Sequence, residues 1–160
     1  MGTTAGDEKP LIQRLVGEPL VSIGRFGSMG VIGFGSQVSW PLPPNQPDTV
    51  GSRFAVHVQC PFRILQQERI LLGSDDLLMS VAPGDEQTER LAYDIGASTL
   101  QAYLERVVTR VLTVEQRPVG DLLITLEHGI GIEVLPTSRK RPECWRLLAR
   151  FGEHLTFPAG

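Results

Sequence analysis

Asp121-Leu122-Leu123-Ile124-Thr125-Leu126-Glu127-His128-Gly129-Ile130-Gly131-Ile132-Glu133-Val134-Leu135 is the stretch that decides the fold. Leu122, Ile124 and Leu126 fall at alternate positions, and so do Ile130, Ile132 and Val134. Successive side chains of a strand point to opposite faces, so each run makes one dry face and one wet face. His128-Gly129 supplies the turn between them. Two such strands joined so closely are antiparallel neighbours in a sheet with one face on the core. The period continues on both sides. Residues 108–116 precede the pair across a Pro118-Val119-Gly120 turn, and residues 144–150 follow it. The last third therefore reads as a meander of four strands. Residues 154–157 add a short edge strand closed by Pro158.

The first half reads the same way. Residues 19–24 and 29–34 alternate around Arg25-Phe26-Gly27-Ser28, a hairpin turn. Gly24, Gly27, Gly30 and Gly33 recur every third residue, but no Gly-Lys-Ser/Thr follows and no helical pattern opens after them. A phosphate-cradling loop needs both, so bulges or close backbone approach are the simpler account. Residues 54–60, 62–66 and 69–73 are three more strands, with Pro61 bending the ladder between the first two. Residues 40–48 hold four prolines and read as an extended loop, and residues 83–87 as a second loop. Ser74-Asp75-Asp76 reads as a turn or cap, because short polar side chains bond their own backbone.

One helix stands out. Ser98 and Gln101 form a capping-box pattern, and Leu100, Tyr103, Leu104 and Val107 recur at helical spacing. The β-branched run from Val107 is awkward for a helix and ends it near Arg106. The expected fold is α+β. It is a mainly antiparallel twisted sheet or half-barrel of about eight to ten strands, with one main helix over residues 98–106. Residues 1–10 read as a flexible tail and residues 11–160 as a single domain.

Bulk properties narrow the function. A chain of 160 residues buries about two-thirds of its unfolded surface and needs no staple. Two cysteines, Cys60 and Cys144, do not make a disulfide scaffold. The net charge is −3 and the only basic run is Arg139-Lys140-Arg141, so there is no basic footprint for nucleic acid. The start is polar and acidic, unlike a secretory leader, and no apolar run is long enough to span a bilayer. The expectation is a cytoplasmic protein with neither a nucleic-acid nor a membrane partner.

Chemistry concentrates in Arg53-Phe54-Ala55-Val56-His57-Val58-Gln59-Cys60-Pro61-Phe62-Arg63. His57 and Gln59 share a strand face opposite Phe54, Val56 and Val58. One reading makes His57 a packed histidine bonded to a backbone carbonyl. The other makes His57, Gln59 and Arg63 the lining of a polar pocket, with the forked Arg63 suited to carboxylate or phosphate. Asp75 and Asp76 approach Arg63 if the hairpin near residue 67 closes. Zinc fits poorly, since His57 and Cys60 are three apart on a strand and project to opposite faces. The same parity parts them as a nucleophile–base pair, and there is no Gly-x-Ser-x-Gly elbow. No catalytic residue, metal or cofactor is expected. Trp145 reads as a core or rim aromatic, and Trp40, beside the prolines, as an exposed contact residue.

The run from Phe54 to Ile64 resembles a pattern in small uncharacterised bacterial proteins, aromatic-x-Leu-His-hydrophobic-Gln-Cys-Pro-Trp-Arg. Gly73-Ser74-Asp75-Asp76, Ile132-Glu133-Val134-Leu135-Pro136 and Trp145-Arg146 match further patches of that pattern. The resemblance covers about residues 19–150 and departs at Phe62, where the pattern prefers Trp. Some of these proteins look like companions of bacterial toxin systems, which implies an immunity or interaction role. The expected function is a non-enzymatic binding module for a protein partner, toxin-neutralising in character, with the acidic balance suiting a basic partner. Its contact residues are His57, Gln59, Arg63, Asp75 and Trp40. The alternative is a small-molecule binder or small hydrolase with His57, Gln59 and Arg63 in a pocket.

Overall fold

The computed structural model describes residues 9–40, 49–81, 90–140, 142–150 and 152–158. In chain order the elements are β1 (Leu20–Phe26), β2 (Met29–Trp40), β3 (Thr49–Val58), β4 (Phe62–Gln66), β5 (Arg69–Gly73), α1 (Ala92–Arg106), β6 (Val111–Gln116), β7 (Leu122–Leu126), β8 (Ile130–Val134), β9 (Trp145–Ala149) and β10 (His154–Phe157). They form two five-stranded antiparallel sheets, ordered β1-β2-β3-β9-β10 and β5-β4-β8-β7-β6, and neither closes into a barrel. The fold is α+β, as the strand periodicity predicts.

Alternation explains the layering. In the first sheet Ile32, Val56 and Leu147 lie in register and are all buried. In the second, Ile64, Ile132 and Ile124 do the same. Both inner faces and one stripe of α1 (Tyr93, Ala97, Leu100 and Leu104) meet in one core. Each large aliphatic or aromatic side chain buried there contributes roughly 1.5–3 kcal/mol. Among the described residues no helix is long and apolar enough to cross a membrane.

Two sequence expectations are corrected. The four-strand meander breaks after its third strand. β8 already has β4 on its free side, with Phe62 opposite Val134 and Ile64 opposite Ile132, so no slot remains there. Residues 144–150 instead carry β9 to the open edge of β3 in the other sheet.

The helix starts at Ala92, a turn and a half before Ser98, which sits exposed inside it. The Asp94 carboxylate accepts the Leu91 N–H at 2.9 Å and closes the first turn. Arg25 grips the same carboxylate at 2.7 and 3.0 Å, and together these bonds hold it down at about 2. Gln101 does not cap either. Its side chain donates to Val21 O at 2.7 Å and accepts from Ile23 N at 3.1 Å, fastening α1 to β1. Gly96 hides the helix from a propensity reading. A Cβ there would lie 2.8 Å from Leu72 Cδ1, so glycine is what lets α1 settle on β5.

Of the spaced glycines before Phe34, Gly30 and Gly33 have a packing origin, whereas a Cβ at Gly24 or Gly27 would meet nothing within 4 Å. A Cβ at Gly30 would meet the Phe62 ring at 2.8 Å. The backbone of Trp40 pairs with Thr49. Its side chain, and the loops expected at 41–48 and 83–87, lie outside the described residues, as does residue 141 of the basic run.

Candidate functional site

Only Gln59, Cys60 and Pro61 separate β3 in one sheet from β4 in the other. So short a crossover must be pinned on both sides. Gln59 N donates to Cys144 O at 2.7 Å, and Leu135 N donates to Pro61 O at 2.8 Å. Phe62 N donates to the Ser74 hydroxyl at 3.1 Å. Proline brings no N–H of its own to satisfy at the bend. The four sequence patches that are far apart in the chain thus meet around one backbone bend.

His57 stands on β3 opposite the buried Phe54, Val56 and Val58 and is half-buried. Its register partner on β9 is Arg146, and its partner on β2 is Val31. His57 and Arg146, with Met29, Gln59, Glu143 and His154, line an open depression of about 380 Å³. Leu148 closes its floor and is buried. Arg146 Nε donates to Glu143 Oε1 at 2.7 Å, and its Nη1 lies 3.5 Å from His154 Nδ1. The Gln59 amide contacts Met29 Sδ at 3.6 Å. Among the described residues no protein group hydrogen-bonds the His57 ring.

Burial first, then the positive charges of Arg150 and Arg146, lower the proton affinity of His57 below its ordinary value. Glu143 opposes this and His154 adds to it. His57 is therefore a neutral imidazole at pH 7, in a positive local field. Among the side chains that line the depression the one arginine, Arg146, is matched by the one carboxylate, Glu143.

The sequence candidates divide between two places. His57 and Gln59 share the depression on the first sheet. Arg63 and Asp75 line a different one of about 350 Å³, with Phe62, Ser74, Asp76 and Leu135. There Arg63 Nε donates to Glu133 Oε1 at 2.6 Å, its register partner on β8. Asp76 accepts the Gly73 N–H at 2.9 Å and acts as the cap expected of that turn. The crossover is the reason Arg63 does not join His57: it moves the chain from one sheet to the other within three residues. The Trp40 side chain lies outside the described residues.

Sequence spacing alone does not make Arg146, Glu143 and His154 partners of His57. Alternation in Trp145–Ala149 does put Arg146 opposite the buried Trp145 and Leu147. What single-chain patterning lacks is the β3–β9 register that sets it beside His57. Cys60 pairs with another thiol instead of a base. Burial, then the neighbouring Cys144 thiol, push it up to about 12, and Cys144 contacts Pro142 O at 3.5 Å. Among the described residues no group of three or more His, Cys, Asp or Glu side chains is arranged to hold a metal ion. Comparison with protein-family models, curated proteins and solved structures gives no match.

Proposed function

We propose that this chain is a non-enzymatic binding module whose contact surface is the outer face of the five-stranded sheet around His57. The observation that carries this reading is the gathering of His57, Arg146 and His154 from three adjacent strands over one open depression. Polar side chains on a strand face are usually solvated singly or matched in pairs, and here two imidazoles join the Arg146–Glu143 pair in one concave surface. The nearby Cys60 thiol stays protonated at neutral pH, which argues against thiolate chemistry beside it. The resemblance to small bacterial companions of toxin systems favours a protein partner and an immunity-like role.

Affinity capture with the folded chain tests the proposal. His57→Ala and Arg146→Glu should release a partner that wild type and Arg63→Ala retain, while thermal unfolding of all four stays comparable. Retention of the same partner by both face variants would overturn it. The second reading, a small-molecule pocket, is favoured by the concavity and by a neutral imidazole suited to act as a base. It predicts a saturable low-molecular-weight ligand that depends on His57 without any protein partner.

A further inference from the structure

We propose that the groove between α1 and the β4–β5 hairpin binds a small amphipathic carboxylate, a fatty acid of medium chain length. Its tail lies against Leu71 and Leu100, and its head meets Arg69 and Tyr103. The groove belongs to the second sheet and is independent of the His57 face.

Helical spacing makes the groove. One stripe of α1, Tyr93, Ala97, Leu100 and Leu104, enters the core. The adjoining stripe, Gly96, Thr99 and Tyr103, recurs at three and four residues and lines the groove. Arg69 and Leu71 of β5 form the opposite wall. The enclosed volume is about 410 Å³, within the roughly 300–1,000 Å³ of small-molecule sites.

The floor is apolar. Leu100 is buried, and Leu71 and Tyr103 pack against the core. Gly96 adds no side chain there, and a Cβ on it would stand 3.6 Å from Leu71 O. An aliphatic tail laid along this floor leaves water, which favours binding without fixing a direction.

Two polar groups fix the direction. The other polar side chains of the groove are already engaged. The Gln66 amide donates to His128 O at 3.2 Å, and the Thr99 hydroxyl donates to Ile95 O at 3.0 Å. Among the described residues the Arg69 guanidinium has neither an ion pair nor a hydrogen bond, and the Tyr103 hydroxyl has no partner. No carboxylate lines the groove, so Arg69 is the one charge on its walls. A carboxylate head answers both groups, since the guanidinium fork suits its two oxygens and the phenol donates to one of them. A single guanidinium matches a monoanion, and a basic head would meet Arg69 with no acid to offset it. Arg69 is exposed, so water weakens its pull and the tail carries most of the affinity.

Titration calorimetry of the full chain with octanoate below its micelle concentration tests the proposal. Octanol is the neutral analogue, and acetate is the head without a tail. Saturable octanoate binding is expected, several-fold tighter than octanol, with none of acetate. Arg69→Gln should bring octanoate to the octanol level and leave octanol unchanged. Tyr103→Phe should cause a smaller loss. Thr99→Phe sets a ring in the groove from an exposed position and should abolish both, with thermal unfolding unchanged. Arg146→Gln, on the other sheet, should leave octanoate binding as it is. Octanoate no tighter than octanol, uptake without saturation, or binding that survives Thr99→Phe would overturn the proposal. So would equal binding of neutral acetyl-leucinamide, which would give the groove to a partner's apolar side chain. A dimer in sedimentation that Thr99→Phe disperses would give it to a second copy and overturn the proposal likewise.

Discussion

Arg63 and His57 lie six residues apart on the same motif, yet they illustrate opposite uses of a polar strand residue. Around Arg63 on the second sheet the groups are matched: Glu133 takes the guanidinium at 2.6 Å, Ser74 takes the Phe62 N–H, and Asp76 takes the Gly73 N–H. Each of those polar groups serves the local fold. Around His57 on the first sheet no protein group among the described residues hydrogen-bonds the ring, and Arg146, Glu143 and His154 share its depression. The difference teaches that proximity in sequence does not make a common site. A three-residue crossover sends one residue to a patch of matched pairs and the other to an open depression that it shares with a second histidine.

The largest way to disturb this contrast is through the strand that carries Arg146. Trp145 is fully buried, donates Nε1 to Gly120 O at 2.8 Å and stacks on Phe157. Trp145→Ala should cost about 3–5 kcal/mol in urea unfolding, and loss of β9 would dismantle the His57 patch. A cost below about 1 kcal/mol would show that β9 is seated by something else.

A matched pair elsewhere in the molecule sets the scale for Arg63. Arg25 and Asp94 are bidentate and only about a quarter exposed. Asp94→Asn should lower stability at pH 7 by about 1–2 kcal/mol after discounting for solvent. The carboxyl is depressed to about 2, so its contribution is present above the unfolded value near 4 and is lost as pH falls from there through about 2. The wild-type and Asp94→Asn unfolding curves should therefore converge near pH 2. By comparison the exposed Arg63–Glu133 pair should give a coupling of about 0.2–1 kcal/mol in a double-mutant cycle, with partner capture untouched. Arg146→Ala should cost no more than that in stability, yet lose the partner. Equal effects of Arg63→Ala and Arg146→Ala on capture would erase the contrast.

The smallest expected effect is a null one. With its thiol pushed up to about 12, Cys60 should resist a thiol reagent at pH 8 in the folded chain and react after unfolding.

The strand periodicity was enough to read the sheets, because burial of one face is written directly in alternate residues such as Leu122, Ile124 and Leu126. Partner choice was not readable. Nothing local in Trp145–Ala149 says that it leaves the sheet of β8 to pair with β3 in the other, since that depends on β4 having filled the place beside β8. The early start of α1 was masked by Gly96, which disfavours a helix in isolation and is favoured here by close packing on Leu72. For the same reason the site was half legible. His57 and Gln59 follow from the parity of one strand, whereas Arg146 and His154 arrive through long-range register.

The central claim is that burial and the neighbouring arginines hold the His57 imidazole neutral on an open face of the first sheet. Burial and the arginines disfavour protonation of the folded imidazole, whereas the unfolded one titrates near 6.5. Stability associated with His57 should accordingly fall as pH drops below 6.5 through its lower folded value. An NMR titration of the His57 ring in wild type and in Arg146→Gln tests this most directly. The account predicts a midpoint below 6.5 that moves upward in the variant. A midpoint at or above 6.5, unmoved by Arg146→Gln, would contradict it.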